Sequence, residues 1–241
     1  MGTQAMEATR QSDPVGHIGE GIYTIPRAAF IVRAKPGSVR RWVRGYKRHE
    51  ARLAPLVDAD YRSEAGTAAV SFLDLVELRL IERLTRMGVP LRRLREAHDY
   101  LRDQHGVAHP FAWEDLRTDG RDLFVSILER DSKNLVQASG RHRAHLVMPE
   151  VVEPFFKVVD FSPDTRLASR VFPFGQTGGI VIDAEISFGE PVVEESRIQT
   201  GTLAGFVRAG DDPATVARWF DIDEDAVRKA LAFEAGEEWA A

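Results

Sequence analysis

Three guanidinium groups, Arg40, Arg41 and Arg44, fall within five consecutive residues, with Lys35 and Ser38 before them and Lys47 and Arg48 after. Side chains of that kind recognise polyanions. A guanidinium presents a planar fork of donors that fits a phosphate or the O6/N7 edge of guanine, worth about 1–3 kcal/mol of discrimination per bidentate base contact. Residues 24–52 hold nine bases against the single acid Glu50, a local charge of +8. If Val39, Trp42 and Val43 form the inward face of one helix, then Arg40, Arg41 and Arg44 project from the opposite face, as a helix lying in a major groove requires. Those three are expected to reach base edges. Lys35, Ser38, Lys47 and Arg48 are expected on backbone phosphate, which positions without specifying.

The other end is electrically opposite. From residue 180 to 241, fourteen acids stand against five bases, a net of −9, while the whole chain carries only −5. Such asymmetry points to a separate partner for each end. Asp221, Asp223, Glu224 and Asp225 crowd one helix start, where they suit the helix dipole but repel phosphate, so this end suits a protein surface.

Other chemistries find little support. There is no cysteine, which excludes disulfides and thiolate metal centres. His142 with His145, and His105 with His109, have helical spacing, yet two imidazoles fall short of a zinc site and Arg141 and Arg143 disfavour a cation, so no metal or cofactor is expected. Gly175-Gln176-Thr177-Gly178-Gly179 precedes a strand and lacks the Lys-Ser or Lys-Thr of a phosphate loop. The acid pairs Glu194–Glu195 and Asp211–Asp212 are adjacent and therefore point apart. No catalytic residue is assigned, and an enzyme is not expected. Arginine outnumbers lysine 27 to 5, a bias that a GC-rich genome also produces.

The elements that must position these groups read as α+β, mainly α. With 241 residues, 44 % of them hydrophobic, the chain has ample material for a core. No apolar run is long enough to span a membrane and the opening residues lack an apolar signal segment, so a cytoplasmic protein without a membrane partner is expected. Residues 1–20 read as a flexible tail and 21–108 as a DNA-binding domain. In that domain Thr24 caps a helix ending near Ala34, and a second helix runs from Pro36 to about Tyr46, a helix-turn-helix pattern. Residues 54–70 read as a loop or short β-wing. Ser71 and Asp74 stand at capping-box spacing before a helix ending at Gly88, and Pro90 opens another to about Gln104. Residues 109–188 read as a β-rich connector, with short runs at 123–127, 145–147, 169–172 and 180–182 and one helix across 151–159. The last part, 189–241, reads as a small helical domain with helices at about 201–209, 213–220 and 223–234.

Two resemblances follow from these residues. Tyr23-Thr24-Ile25-Pro26-Arg27-Ala28-Ala29, then Pro36-Gly37-Ser38-Val39-Arg40-Arg41-Trp42, with Asp60-Tyr61-Arg62 behind them, resembles the opening of MerR-type winged helix-turn-helix domains. Gly189-Glu190-Pro191-Val192-Val193, Phe206-Val207-Arg208-Ala209-Gly210, Ala217-Arg218-Trp219-Phe220 and Asp225-Ala226-Val227-Arg228-Lys229-Ala230-Leu231 are similar to a small helical domain of unknown function. That domain is widespread among VapB-type antitoxins encoded beside VapC-type, PIN-domain ribonuclease toxins. The resemblance implies an antitoxin of a type II module that neutralises a PIN-domain toxin by direct binding and autoregulates its operon on operator double-stranded DNA, as a homodimer. It also implies toxin contacts at Arg197, Arg208, Trp219, Phe233 and Trp239, with Arg197 or Arg208 entering an acidic Mg²⁺ site. Phe206 and Trp219 suit the core of a small domain equally well, whereas Trp239, beyond the last periodic residue, is expected to be exposed. The alternative is a MerR-like transcriptional regulator with a small-molecule effector domain.

Overall fold

The first helix is set by Thr24, whose hydroxyl accepts the Arg27 amide at 3.3 Å, with Pro26 in the first turn where its missing N–H costs nothing. In the computed structural model, which describes residues 21–48, 51–62, 68–117 and 152–239, helix α1 (Ile25–Ile31) buries Ile25, Ala28, Ala29 and Ile31. Four residues then turn the chain into α2 (Pro36–Arg44), with Arg33 in the left-handed region at φ 61°. The second helix stops at Arg44, two residues before the sequence pattern suggests. Gly45 takes φ +69°, and a Cβ there would collide with the Leu53 carbonyl.

Tyr46 instead opens β2 (Tyr46–Arg48), antiparallel to β3 (Ala51–Leu53), a hairpin that stands before the loop or β-wing expected at 54–70. The amides of Leu56 and Val57 then donate to the Trp42 carbonyl at 2.7 and 3.2 Å, which ties the chain after the hairpin to α2. A three-stranded antiparallel sheet follows, in the order β1 (Ile22–Tyr23), β5 (Ala68–Ser71), β4 (Tyr61–Arg62). Ser71 and Asp74 form the expected capping box on α3 (Phe72–Arg86), at 3.0 and 2.9 Å. Gly106, left-handed, closes α4 (Leu91–His105).

The expected tail at 1–20 and the runs at 123–127 and 145–147, with His142 and His145, lie outside the described residues. The run at 169–172 is β7 (Ala168–Val171) and that at 180–182 is β8 (Ile180–Asp183). They belong to an antiparallel sheet in the order β6 (Val159–Phe161), β7, β8, β9 (Val192–Val193). The helix expected across 151–159 is the shorter α5 (Glu153–Lys157), because Val159 already pairs with Val171. Three helices close the chain: α6 (Thr200–Arg208), α7 (Pro213–Phe220) and α8 (Glu224–Ala235). The fold class is α+β, mainly α.

One buried apolar cluster runs from Tyr23 to Trp239, so the acidic end packs on the basic one. Arg27 pairs with Glu190 at 2.6 Å and Glu234 at 3.2 Å. Arg33 lies 4.8 Å from the Phe30 ring centre and 4.7 Å from that of Phe233, and donates to the carbonyls of Phe233 (2.7 Å) and Glu237 (3.0 Å). Arg86 reaches Glu238 at 2.9 Å, and the Tyr23 hydroxyl donates to the Gly189 carbonyl at 2.6 Å. Charge asymmetry alone suggested separate partners, but part of each charge is spent on the other end.

The same packing corrects two expected toxin anchors. Trp239 is only 5 % exposed and Phe233 is fully buried. The Trp239 indole N–H donates to the Ile31 carbonyl at 3.0 Å, and the Arg79 guanidinium sits 4.6 Å over its ring. Periodicity along α8 cannot show that a residue beyond its end finds an unpaired carbonyl at the end of α1. Trp239→Ala should therefore lower stability by about 3–5 kcal/mol, read as a reduced urea midpoint; a shift of under about 0.5 kcal/mol would show that Trp239 is not core.

Candidate nucleic-acid interface

Helix α2 is sided as its sequence demands. Val39, Trp42 and Val43 are buried, which anchors the helix by about 1.5–3 kcal/mol for each fully buried large side chain. On the opposite side Lys35, Arg40, Arg41 and Arg44 are exposed, as is Lys47 on β2, while Ser38 is half-buried. Among the described residues none of these five cations forms an ion pair; the Arg41 guanidinium donates to Ser38 Oγ at 3.2 Å. Arg48 lies on β2, and its side chain falls outside the description.

An unpaired face of this kind is locally unfavourable. Arg40 and Arg44 are four apart on one helix, a like-charge spacing that costs about 0.2–0.5 kcal/mol. The first turn of α2 holds no acid, and Lys35 supplies no side-chain cap. The positive end of the helix dipole thus adds to the cationic surface, a combination that favours a bound anion. Arg27 and Arg33 on the inner side behave differently. Burial opposes the Arg27 charge, but Glu190 and Glu234 outweigh it and leave its pKa raised. Burial lowers that of Arg33.

At the acidic end, Arg197 is exposed in a left-handed backbone, φ 60°. Arg208 is exposed and donates to the Glu234 carbonyl at 3.3 Å. Trp219 is 57 % and Phe206 38 % exposed, so these two, which suited a core equally well, lie at the surface instead. Their rings meet edge-on at 5.8 Å, and Phe220 joins at 5.5 Å from Phe206. Sequence reasoning missed Phe188, which is 73 % exposed at φ 56°; an aromatic in a turn carries no periodic signal.

It also missed a polar cluster beneath the β3–β4 connection. Asp74, Glu77, His98 and His109 are all buried. Glu77 accepts the Phe111 amide at 3.0 Å and lies 3.1 Å from His98 Nε2 and 3.4 Å from His109 Nδ1. Burial pushes the Asp74 carboxyl up to about 7, and the charge of Asp60 adds to it. Burial would raise Glu77 as well, but the two imidazoles hold it below the usual range. For His109, burial is overcome by Asp60 and Glu77, which push it upward. Its sequence neighbour His105 instead stacks near Trp113, with ring centres 4.9 Å apart.

Residues 21–98 match a family model described as "Putative DNA-binding HTH domain", and residues 180–233 match one described as "Protein of unknown function (DUF433)". The chain is 25 % identical to "Putative antitoxin VapB45" of Mycobacterium tuberculosis, over 87 % of this chain and 92 % of that protein. The crystal structure of Rv2018 from the same organism superposes with a TM-score of 0.64 at 25 % identity, covering 87 % of this chain and 96 % of that one. The chain therefore resembles a VapB-like antitoxin with a helix-turn-helix head. Among the described residues, no helix is long and apolar enough to cross a membrane.

The two classes of arginine should separate in unfolding experiments. Arg40→Ala and Arg44→Ala are expected to change stability by less than about 0.5 kcal/mol. Arg33→Ala, which removes three side-chain donations to backbone carbonyls together with the guanidinium's contacts on the Phe30 and Phe233 rings, should cost about 1–3 kcal/mol. Equal effects in urea titrations would contradict the division.

Proposed function

We propose that this protein is the antitoxin of a type II toxin–antitoxin module, which binds operator DNA through α2 and neutralises a PIN-domain ribonuclease through its acidic end. The observation that carries the DNA arm is the exposed face of Arg40, Arg41 and Arg44, without an ion pair among the described residues, on the second helix of a helix-turn-helix. Arg40, Arg41 and Arg44 read base edges, while Lys35, Ser38, Lys47 and Arg48 hold phosphate. A homodimer places two such helices in successive major grooves, about 34 Å apart, on a palindromic operator. The protein works in the cytoplasm, and the head is MerR-like.

The toxin arm is supported by the likeness to a protein named as an antitoxin and by the surface of the region matching the family of unknown function. That surface holds the exposed aromatics Phe206 and Trp219 together with the exposed Arg197 and Arg208, the residue types that dominate interface energetics. Phe233 and Trp239 act from within, by keeping the helices in place.

A second reading, a MerR-like transcriptional regulator with a small-molecule effector, is favoured by one feature. A cleft of about 920 Å³ opens between the start of α3 and strands β7 and β8. Growth rescue on co-expression with a PIN protein from the adjacent reading frame separates the two readings, since an effector sensor gives none. For the DNA arm, Arg40→Ala, Arg41→Ala and Arg44→Ala should weaken operator binding by about 5- to 100-fold each with the fold intact. Unchanged gel shifts in all three would overturn the placement. Phe206→Ala with Trp219→Ala should weaken the toxin complex and leave operator binding unchanged; a complex of full affinity would remove the aromatic pair from the interface.

A further inference from the structure

Asp60 in the β3–β4 connection, Asp74 in the first turn of α3 and His109 just after α4 each bring one ligand atom to a common point, with all three atoms within 4.8 Å of one another. The Asp60 carboxylate stands 3.4 Å from His109 Nε2, and Asp74 Oδ1 is 3.7 Å from Nδ1 of the same ring. Asp74 is fully buried. Its Oδ2 accepts the amides of Ser71 and Asp60 at 2.9 and 3.2 Å, whereas its Oδ1 accepts no hydrogen bond. Buried polar atoms are rarely left in that condition, because the desolvation of a carboxylate oxygen is then uncompensated.

The geometry points to a site for a divalent transition-metal ion of the zinc class, held by Asp60, Asp74 and His109, with Glu77 orienting the imidazole. One nitrogen and two carboxylate oxygens suit such an ion, whereas magnesium and calcium favour oxygen alone. With Glu77 Oε2 3.4 Å from Nδ1, the ring can donate its Nδ1–H to that carboxylate and turn the Nε2 lone pair to a metal, the usual support for a ligating histidine. The 3.4 Å between Asp60 and Nε2 matches the edge of a tetrahedron with bonds of about 2.0–2.1 Å. The three ligand atoms lie within 4.8 Å of one another, wider than that edge, so an ion would draw them together; Asp60, whose side chain is 41 % exposed, has room to turn.

Three protein ligands leave a coordination position for an outside group, as in sites that exchange water for a ligand. Asp60 and His109 line the 920 Å³ cleft, with Ser169, Arg170 and Asp183 on its far side. The site is independent of the DNA and toxin readings. Its competitor is a metal-free cage in which a protonated His109 supplies the positive charge.

Full-length protein stripped with a chelator and titrated with Zn²⁺ against a chromophoric chelator distinguishes the two. The chain has seven histidines, so wild type is compared with Asp60→Asn and His109→Gln to subtract background. The expected result is one additional equivalent in wild type, bound at least tenfold more tightly than by either variant. At a hundredfold excess over Kd, thermal unfolding should shift upward by about 5 °C in wild type only. Wild type that takes up no more zinc than the variants, or melts with the same shift, overturns the site and leaves the imidazolium cage. Should His109→Gln fail to fold, Asp60→Asn at the more exposed position decides alone.

Discussion

The carboxyl end of α1 is where the two ends of the chain become one structure. Three successive carbonyls there, of Phe30, Ile31 and Val32, accept from Arg33 (2.9 Å), Trp239 (3.0 Å) and Arg79 (3.2 Å). A helix of seven residues is far too short to persist alone, and its last carbonyls have no partner within the helix. Here two guanidiniums and an indole satisfy them, and the cations also meet the negative end of the helix dipole. Because α1 packs on α2, the pose of the helix that carries Arg40, Arg41 and Arg44 depends on a tryptophan at the far end of the chain.

The same interaction explains how a chain of net charge −5 presents a cationic face. Arg27, Arg33 and Arg79 point inward, where Glu190, Glu234 and Glu82 pair with Arg27 and Arg79 and backbone carbonyls accept hydrogen bonds from Arg33, while the more exposed Arg86 pairs with Glu82 and Glu238 at the surface. Burial drives that pairing, since a guanidinium taken out of water needs compensation; Arg79, nearly fully buried, is pulled down to about 10. The arginines of α2 remain in water and need no internal partner. Acids and bases are thus sorted by depth, and what is left on the outer face of the head is positive.

Much of this was legible in the sequence. Thr24, Ser71, Asp74 and Gly88 act within a few residues of themselves, so helix starts and stops follow from local hydrogen bonding. The burial of Val39, Trp42 and Val43 followed from a helical period. The hairpin at 46–53 carries no local signal, because Gly45 is needed by a contact with Leu53 that only the folded chain shows. The fate of Trp239 and the company of His109 are likewise long-range facts. Helical spacing pairs His105 with His109 in the sequence, yet His109 meets Asp60 and Asp74 from other elements, whereas His105 meets Trp113.

Glu234 shows how the two candidate surfaces are joined. Its carboxylate accepts the Thr200 hydroxyl at 2.6 Å and the Arg27 guanidinium at 3.2 Å, and its backbone carbonyl accepts Arg208 at 3.3 Å. Thr200 starts α6 and Arg208 ends it, while Phe206 and the α7 residue Trp219 form the exposed aromatic pair beside them. Arg27 belongs to α1 and so to the helix-turn-helix. One side chain on α8 therefore touches the elements that carry both faces. Joining a basic head to an acidic tail in this way draws on partly buried pairing, because ion pairs at a fully solvated surface are worth only about 0–1 kcal/mol each. The apolar core under Phe233 and Trp239 supplies the low-dielectric setting in which the Arg27–Glu234 pair holds the two ends in register.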